Sequence, residues 1–233
     1  MQLNNRRIDT THVGELMSMV RKLQITGERF RFKMSPQETF DRLAYYYAYE
    51  VKLRNREIRF DKQTIDNLVA MATYMTDPKS KIGIMLCGTC GNGKTTMLLA
   101  LRDLINERFH SGDFNHLRNY SCNDPYFEIY LRFKDVRDIL EIYKDRKRYA
   151  ELRSERLLAI DDLGKEPTEV LEYGNVTNPV IDLLEHRYLA QLFTAVTTNL
   201  DAKQIRQKYG GRIADRFNEM MEVIVFQDVS YRK

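Results

Sequence analysis

The sequence predicts an α/β fold, in which a parallel β-sheet flanked by helices follows a small helical N-terminal region. Two observations support this prediction. After residue 80, short apolar runs alternate with helical segments, which is the pattern of repeated β-α-β units. Before residue 76, apolar residues instead recur at the three- and four-residue spacing of amphipathic helices. The change of pattern makes residues 76–80 a plausible boundary, and we assign residues 1–60 to a helical partner-binding region and residues 61–233 to the α/β domain.

The N-terminal region is predicted to contain one helix that begins after Ser35 and runs to about Asn55. Ser35 is a cap residue, and it is followed by a proline at the first helical position and by Glu38 at the third. A second helix is predicted over residues 64–75. Three tyrosines lie off the apolar stripe of the first helix and fit either stacking on bases, docking of a partner, or packing on the neighbouring domain. They are Tyr45, Tyr46 and Tyr49.

The α/β domain is predicted to contain at least five strands. Each candidate is a short apolar run bounded by turn residues or by a helical segment. The predicted strands lie near residues 82–87, 127–133, 157–161, 192–198 and 222–227. Ligands of such sheets bind at the carboxyl ends of the strands, so chemically active residues are expected there.

The composition is that of an ordinary globular protein, with 43% hydrophobic and 30% charged residues. No apolar stretch is long enough to cross a bilayer, so we expect a cytoplasmic protein without a membrane partner. The three cysteines are an odd number and argue against a disulfide framework. Residues 1–60 carry 12 Lys and Arg against 7 Asp and Glu. This basic surplus fits either nucleic-acid contact or a solvated helical surface.

A glycine-rich loop follows the first predicted strand. It reads G-T-C-G-N-G-K-T, which satisfies G-x-x-x-x-G-K-[S/T], and it precedes a predicted helix over residues 95–108. Such a loop directs backbone N–H groups and a helix N-terminus at phosphate oxygens. Lys94 is expected to bridge the β- and γ-phosphates of ATP, Thr95 to place its hydroxyl on Mg²⁺, and Thr96 to lie near the α-phosphate. The predicted nucleotide-binding residues of the loop are Gly88, Thr89, Cys90, Gly91, Asn92, Gly93, Lys94, Thr95 and Thr96.

Polar residues at two further strand ends complete the predicted site. Four apolar residues precede Asp161 and Asp162, which is a Walker B sequence. Asp161 is expected to hold the metal, and Asp162 to orient or deprotonate the attacking water. Asn199 ends the strand near 192–198 and is expected to polarise the same water. The alternatives are a solvated acidic turn and a plain strand-ending asparagine.

Three arginines near the C-terminus suit the geometry of phosphate. Arg212 and Arg216 lie one helical turn apart, and Arg232 follows the last predicted strand. An arginine supplied by a neighbouring subunit would make hydrolysis depend on assembly. The alternative is a surface salt bridge, for example between Arg216 and Glu219.

In their order, these motifs resemble those of AAA+ ATPases of the DnaC/IstB type, which are bacterial replicative-helicase loaders and transposition helper ATPases. The resemblance runs from about residue 60 to the end, through the glycine-rich loop, Asp161-Asp162-Leu163-Gly164, Thr197-Thr198-Asn199-Leu200 and the segment from Gly211 to Arg216. It implies an AAA+ ATPase domain over residues 61–233. It also implies that Arg216 is the arginine finger, with Arg212 as the second choice, and that Arg232 acts as sensor 2.

The resemblance further implies a catalytic set of Lys94, Asp162, Asn199 and Arg216, and a function as a DNA replication helicase loader. A transposition helper ATPase is the alternative, and a P-loop kinase of a small molecule fits less well. Expected partners are a replicative helicase or a transposase, single-stranded DNA, and further copies of the chain in an ATP-dependent homo-oligomer. Basic residues within 135–156 are candidates for DNA contact, although the acids interleaved with them equally fit a solvated helix.

Overall fold

A computed structural model gives the fold of the chain and describes residues 29–110, 130–167, 170–172 and 175–227, together with Ser18. The helices are α1 (Pro36–Leu53), α2 (Lys62–Thr76), α3 (Lys94–His110), α4 (Val136–Tyr143), α5 (Arg146–Ser154), α6 (Pro179–Leu189) and α7 (Ala202–Met220). The strands are β1 (Gly83–Gly88), β2 (Arg132–Asp135), β3 (Leu157–Leu163), β4 (Val170–Glu172), β5 (Asn175–Thr177), β6 (Phe193–Thr198) and β7 (Met221–Phe226).

Five of the strands form one parallel sheet in the order β2-β3-β6-β1-β7. Strands β4 and β5 pair separately as an antiparallel hairpin. Since all five strands of the main sheet run the same way, the ends of β1, β3 and β6 meet at one edge. The predicted α/β fold, with a parallel sheet flanked by helices, is confirmed.

The predicted strand near 127–133 is placed too early. Strand β2 begins at Arg132 and continues to Asp135, whose carboxylate then caps α4 by accepting a hydrogen bond from the backbone of Arg137. The strand is at the edge of the sheet and pairs only with β3 among the described residues. An edge strand tolerates charged side chains on its open side. The charged residues of β2 were therefore not recognised as part of a strand, and the prediction followed the more apolar residues before them.

The first helix begins as predicted and ends two residues early. The hydroxyl of Ser35 accepts a 3.1 Å hydrogen bond from the backbone of Glu38, which fixes the N-terminus of α1. The helix ends at Leu53, and Asn55 adopts the left-handed conformation, with φ at 52°. The chain therefore turns at residues 54–61, and Asp61 caps α2.

The core lies on both faces of the sheet. Helices α1, α2 and α3 cover one face, and the buried side chains there include Leu43, Tyr47, Leu68 and Leu98. Helices α4 to α7 cover the other. The described part of residues 1–60 thus shares its core with the α/β part of the chain. The division at residue 60 stays a prediction.

A fully buried arginine joins the beginnings of two strands. Arg187 donates hydrogen bonds to the carbonyl oxygens of Glu155, at 2.7 Å, and Phe193, at 2.6 Å. It also donates to the hydroxyl of Thr194. Burial lowers the pKa of this guanidinium. The contacts fix β3 beside β6, and both strands lead to the candidate site.

Two parts of the sequence predictions lie outside the described residues. One is Arg232, and the other is residues 1–28 apart from Ser18. Among the described helices, none combines the length and the apolar character needed to span a membrane.

Candidate nucleotide site

The glycine-rich loop leaves β1 at Gly88 and enters α3 at Lys94. Gly88 has a φ of 143°, and a side chain there would overlap the carbonyl oxygen of Phe226 on β7. Gly93 has a φ of 92°, and a side chain there would come within 2.9 Å of the Tyr47 hydroxyl. Glycine is therefore required at both positions, by backbone conformation and by space.

Lys94 lies buried inside the loop. Its ammonium group donates hydrogen bonds to the carbonyl oxygens of Gly88, at 2.7 Å, and Thr89, at 2.6 Å, and to the Asn92 side chain, at 3.0 Å. Burial lowers the pKa of Lys94, and the nearby Cys90, Asp162, Cys87 and Asp161 oppose that shift. Asn92 in turn donates to the carbonyl oxygen of Phe226 at 3.2 Å. The loop is thus held to the end of β7 and carries a cation at its centre.

Asp161 at the end of β3 faces the beginning of α3. Its carboxylate accepts a 3.0 Å hydrogen bond from the Thr95 hydroxyl and another from the Thr197 hydroxyl on β6. Burial raises the pKa of Asp161, while these two hydrogen bonds lower it. A carboxylate and a hydroxyl supply the oxygen ligands that Mg²⁺ prefers. Thr95 and Asp161 are therefore the residues that can hold a magnesium ion.

Asp162 adopts the left-handed conformation, with φ at 59°, where the pairing of β3 with β6 shifts by a bulge. Its backbone N–H donates to the Thr197 hydroxyl at 2.9 Å, and its carboxylate pairs with Lys165. Such backbone conformations are uncommon outside glycine and concentrate at functional sites. The two adjacent carboxylates consequently point in different directions, one into the core of the site and one toward solvent.

A cavity of about 470 Å³ lies over the loop and the strand ends. Its volume is within the range usual for small-molecule sites. It brings together ten of the residues that the sequence assigned to the site, namely Cys90, Gly91, Asn92, Gly93, Lys94, Thr95, Thr96, Asp161, Asp162 and Asn199. Gly88 and Thr89 lie behind it and accept the hydrogen bonds of Lys94.

Part of the cavity lining comes from the N-terminal region and was not predicted. It consists of Tyr47, Val51, Arg54, Asn55, Arg56, Glu57 and Arg59, at the end of α1 and in the turn that follows. The sequence does hold a signal, because three arginines follow an amphipathic helix that carries a buried tyrosine. Their position over the glycine-rich loop depends on how α1 packs on α3, which local patterns do not reveal.

Thr197 was also missed as a functional residue. It stands in a fully buried strand, between Val196 and Thr198. Its hydroxyl joins Asp161 to the backbone of Asp162, so it sets the relative position of the two carboxylates. The signal in the sequence is a threonine two positions before Asn199, in a strand whose other residues are apolar or threonine.

Arg212 and Arg216 do not line the cavity. Both form salt bridges with Glu185 on α6, at 3.0 Å for Arg212 and 2.8 Å for Arg216. The salt-bridge alternative is thus found, but the partner of Arg216 is Glu185 and not Glu219. The Arg216 side chain is 17% exposed and lies over the ring of Tyr188, whereas the Arg212 side chain is 70% exposed. The two arginines therefore form a surface on α7 that lies apart from the chain's own cavity.

A buried carboxylate connects the loop after β3 with this arginine-bearing helix. Glu166 accepts hydrogen bonds from the Tyr209 hydroxyl and from the backbone of Gly164, at 2.9 Å, and pairs with Lys208. Gly210 follows directly and breaks α7, with φ at 82° and ψ at 164°. The contacts of Glu166 therefore hold the segment that carries Arg212 and Arg216 in a set direction relative to the loop next to Asp162.

Comparison with known proteins finds likeness in structure only. No family model and no curated protein matches the chain. Its structure is similar to the crystal structure of the DnaC helicase loader, with a TM-score of 0.54 and 19% identity over 73% of this chain and 93% of that one. The chain shares the fold of that structure, with a five-stranded parallel sheet flanked by helices. This agrees with the resemblance that the motifs suggested.

Two further structures are more distant. DnaI has a TM-score of 0.48 and 19% identity, over 77% of this chain and 89% of that one. A putative primosome component from Streptococcus pyogenes serotype M3 has a TM-score of 0.44 and 13% identity, over 90% and 88%. At such identities the likeness concerns the fold, so the activity has to be argued from the site.

Proposed function

We propose that the protein binds and hydrolyses ATP and acts in DNA replication as a helicase loader. The observation that carries the ATPase part is the meeting of Lys94, Thr95, Asp161, Asp162 and Asn199 on one cavity. These residues come from the ends of two strands, β3 and β6, and from the N-terminus of α3. Their chemistry covers the needs of phosphoryl transfer to water, namely neutralisation of charge, a metal site and a base.

Each residue has a separate role in the proposed reaction. Lys94 neutralises the β- and γ-phosphates, and Thr95 and Asp161 hold Mg²⁺. The metal ion, when bound, withdraws charge from the phosphate oxygens. Asp162 orients the attacking water and accepts its proton, and Asn199 polarises that water. The bond from Asp162 to Lys165 is near the surface, so this carboxylate can exchange partners when nucleotide enters.

The arginines on α7 serve the site of a second copy of the chain in this proposal. Neither lines the chain's own cavity, and both are held on Glu185. Arg216 remains the proposed finger because of the family resemblance, and the more exposed Arg212 is the second candidate. Arg232 is proposed as sensor 2 on the resemblance alone. Hydrolysis would then require an ATP-dependent homo-oligomer.

Single-stranded DNA is the proposed nucleic-acid partner. Arg146, Lys147 and Arg148 are consecutive and exposed at the beginning of α5, and none pairs with a carboxylate among the described residues. Such a cluster neutralises backbone phosphates without reading sequence. The helicase partner is assigned to residues 1–60, because they carry a basic surplus and precede the part of the chain that resembles the family.

Capture of the partner protein by the full-length chain tests this proposal. The bait is Asp162→Asn, which should bind ATP and fail to hydrolyse it, and Lys94→Ala is the matched control that should not bind ATP. ATP-dependent recovery of a replicative helicase with the first bait alone is the expected result. Recovery of a transposase would support the function of a transposition helper instead. Capture of a partner that does not depend on ATP would contradict both candidate functions.

A further inference from the structure

We propose that Arg56, in the turn between α1 and α2, binds the phosphate chain of the nucleotide held by the same molecule. The N-terminal region would then contact bound ATP directly. The inference rests on the proposed function, because it assumes that the cavity over the glycine-rich loop takes ATP. It goes further in assigning a phosphate contact to a region outside the Walker motifs, sensor 1 and the arginines of α7.

The position of the turn is the first support. Arg54, Arg56 and Arg59 line the same cavity as Lys94 and Thr95. The only acid that the turn contributes to the lining is Glu57. A phosphate chain bound on the loop would therefore lie in a cavity that is also lined by the cationic side chains of the turn.

The attachment of the turn to the core is the second support. Glu50, which is 3% exposed, accepts a 2.6 Å bond from Arg54 and a 3.2 Å bond from Arg102 on α3. The backbone of Arg56 also donates to the carbonyl oxygen of Val51 at 3.3 Å. Since α3 begins at Lys94, one rigid connection sets the turn relative to the glycine-rich loop.

Tyr47 supplies a second connection of the same kind. Its buried ring projects from α1, and its hydroxyl lies next to Gly93 in the loop. Helix α1 is thus in direct contact with the loop on one side and carries the arginine turn at its end. The distance between them cannot change without repacking of a buried aromatic side chain.

The ion pairs single out Arg56 from the three arginines. Arg54 pairs with Glu50, and Arg59 pairs with Glu57 at 2.6 Å. Arg56 is exposed and forms no ion pair with any residue that the structure describes. A guanidinium group presents its donors in a fork that matches two phosphate oxygens. Arg56 is therefore free to make that contact without giving up another.

Calorimetric titration of the full-length chain tests the proposal, with MgATP, inorganic tripolyphosphate and AMP as ligands. Arg56→Ala should weaken MgATP and tripolyphosphate about tenfold, which is the usual effect of losing a charge-assisted hydrogen bond. AMP binding should change much less. Arg56→Lys should restore part of the affinity, because the charge returns without the fork. The matched control is Lys52→Ala, a cation on the outer face of α1, which should bind all three ligands as the wild type does.

The outcomes separate this inference from the proposed function. Wild-type chain that fails to bind MgATP would overturn the proposed function itself. Wild-type chain that binds MgATP, with Arg56→Ala binding equally well, would overturn only the role of Arg56. Weakening of MgATP and AMP without any weakening of tripolyphosphate would also overturn it, since the side chain would then contact the base or ribose. Thermal unfolding of each variant checks folding, and no change is expected because Arg56 is exposed.

Discussion

Thr95 donates a 3.0 Å hydrogen bond to Asp161, which joins the first turn of α3 to the end of β3 across 66 positions of sequence. Both residues line the cavity over the glycine-rich loop. The pair is preformed in the fold, and Thr197 supports the carboxylate from the other side. The proposed metal site depends on this hydrogen-bonded pair.

Asp161→Asn should remove most of the effect of Mg²⁺ on ATP affinity. The amide keeps the size of the side chain but loses the charge that attracts the metal ion. Titration of ATP with and without Mg²⁺ measures the effect. Asp66→Asn, on the exposed surface of α2, is the control and should respond to Mg²⁺ like the wild type. If Asp161→Asn shows the full effect of Mg²⁺ on ATP affinity, the metal ion binds elsewhere.

Gly93→Ala should lower the free energy of unfolding by about 1–3 kcal/mol and abolish ATP binding. The residue has a φ of 92°, and the new methyl group would also meet the Tyr47 hydroxyl. Gly211→Ala is the control, since that residue has an ordinary φ and its methyl group meets only the flexible end of Arg206. Denaturant unfolding should show the control within about 1 kcal/mol of wild type. Equal losses of unfolding free energy in Gly93→Ala and Gly211→Ala would contradict the assignment of backbone strain to position 93.

Tyr209→Phe should lower the free energy of unfolding by about 1–3 kcal/mol, because Glu166 would lose a buried donor. Burial and the Glu166 carboxylate both raise the pKa of Tyr209, so its hydroxyl stays protonated and donates. Tyr188→Phe is the control, since its bond to Glu219 is exposed and should contribute less than about 1 kcal/mol. If both variants unfold at the same denaturant concentration, the Glu166 contact does not stabilise α7.

Arg216→Ala should leave ATP binding intact and reduce hydrolysis by about 10³-fold, if this arginine completes the site of a neighbouring molecule. Asp162→Asn should have a similar phenotype for a different reason. A mixture of the two variants should regain activity, because one interface in the mixed assembly then contains both groups. The same mixing experiment with Arg212→Ala in place of Arg216→Ala decides between the two arginines. Absence of recovery at every mixing ratio would contradict a shared site.

Much of the candidate site could be predicted from the sequence because it is built from short motifs of neighbouring residues. The loop from Gly88 to Thr95 requires glycine at fixed positions, and a run of buried apolar residues ending in Asp161 marks a strand end. Ser35 likewise marked the beginning of α1. In each case neighbouring residues determine the structure, so a pattern in the sequence is sufficient.

The features that were missed depend on contacts between distant residues. Tyr47 lies against Gly93, and Glu50 joins Arg54 to Arg102, through the packing of α1 on α3. The i and i+3 spacing of Arg216 and Glu219 suggested a salt bridge within one helix. The true partner, Glu185, is on a different helix, and the crossing of α6 and α7 places it there.

Titration of the wild-type chain and of Lys94→Ala with MgATP tests whether the glycine-rich loop binds ATP. Lys94 is the buried cation at the centre of the loop, so its loss should abolish measurable binding. Lys203→Ala, an exposed lysine on α7, is the control and should bind as the wild type does. Saturable binding by the wild type and the control, with none by Lys94→Ala, is the predicted result. Wild-type affinity in a folded Lys94→Ala variant would contradict the assignment of the ATP site.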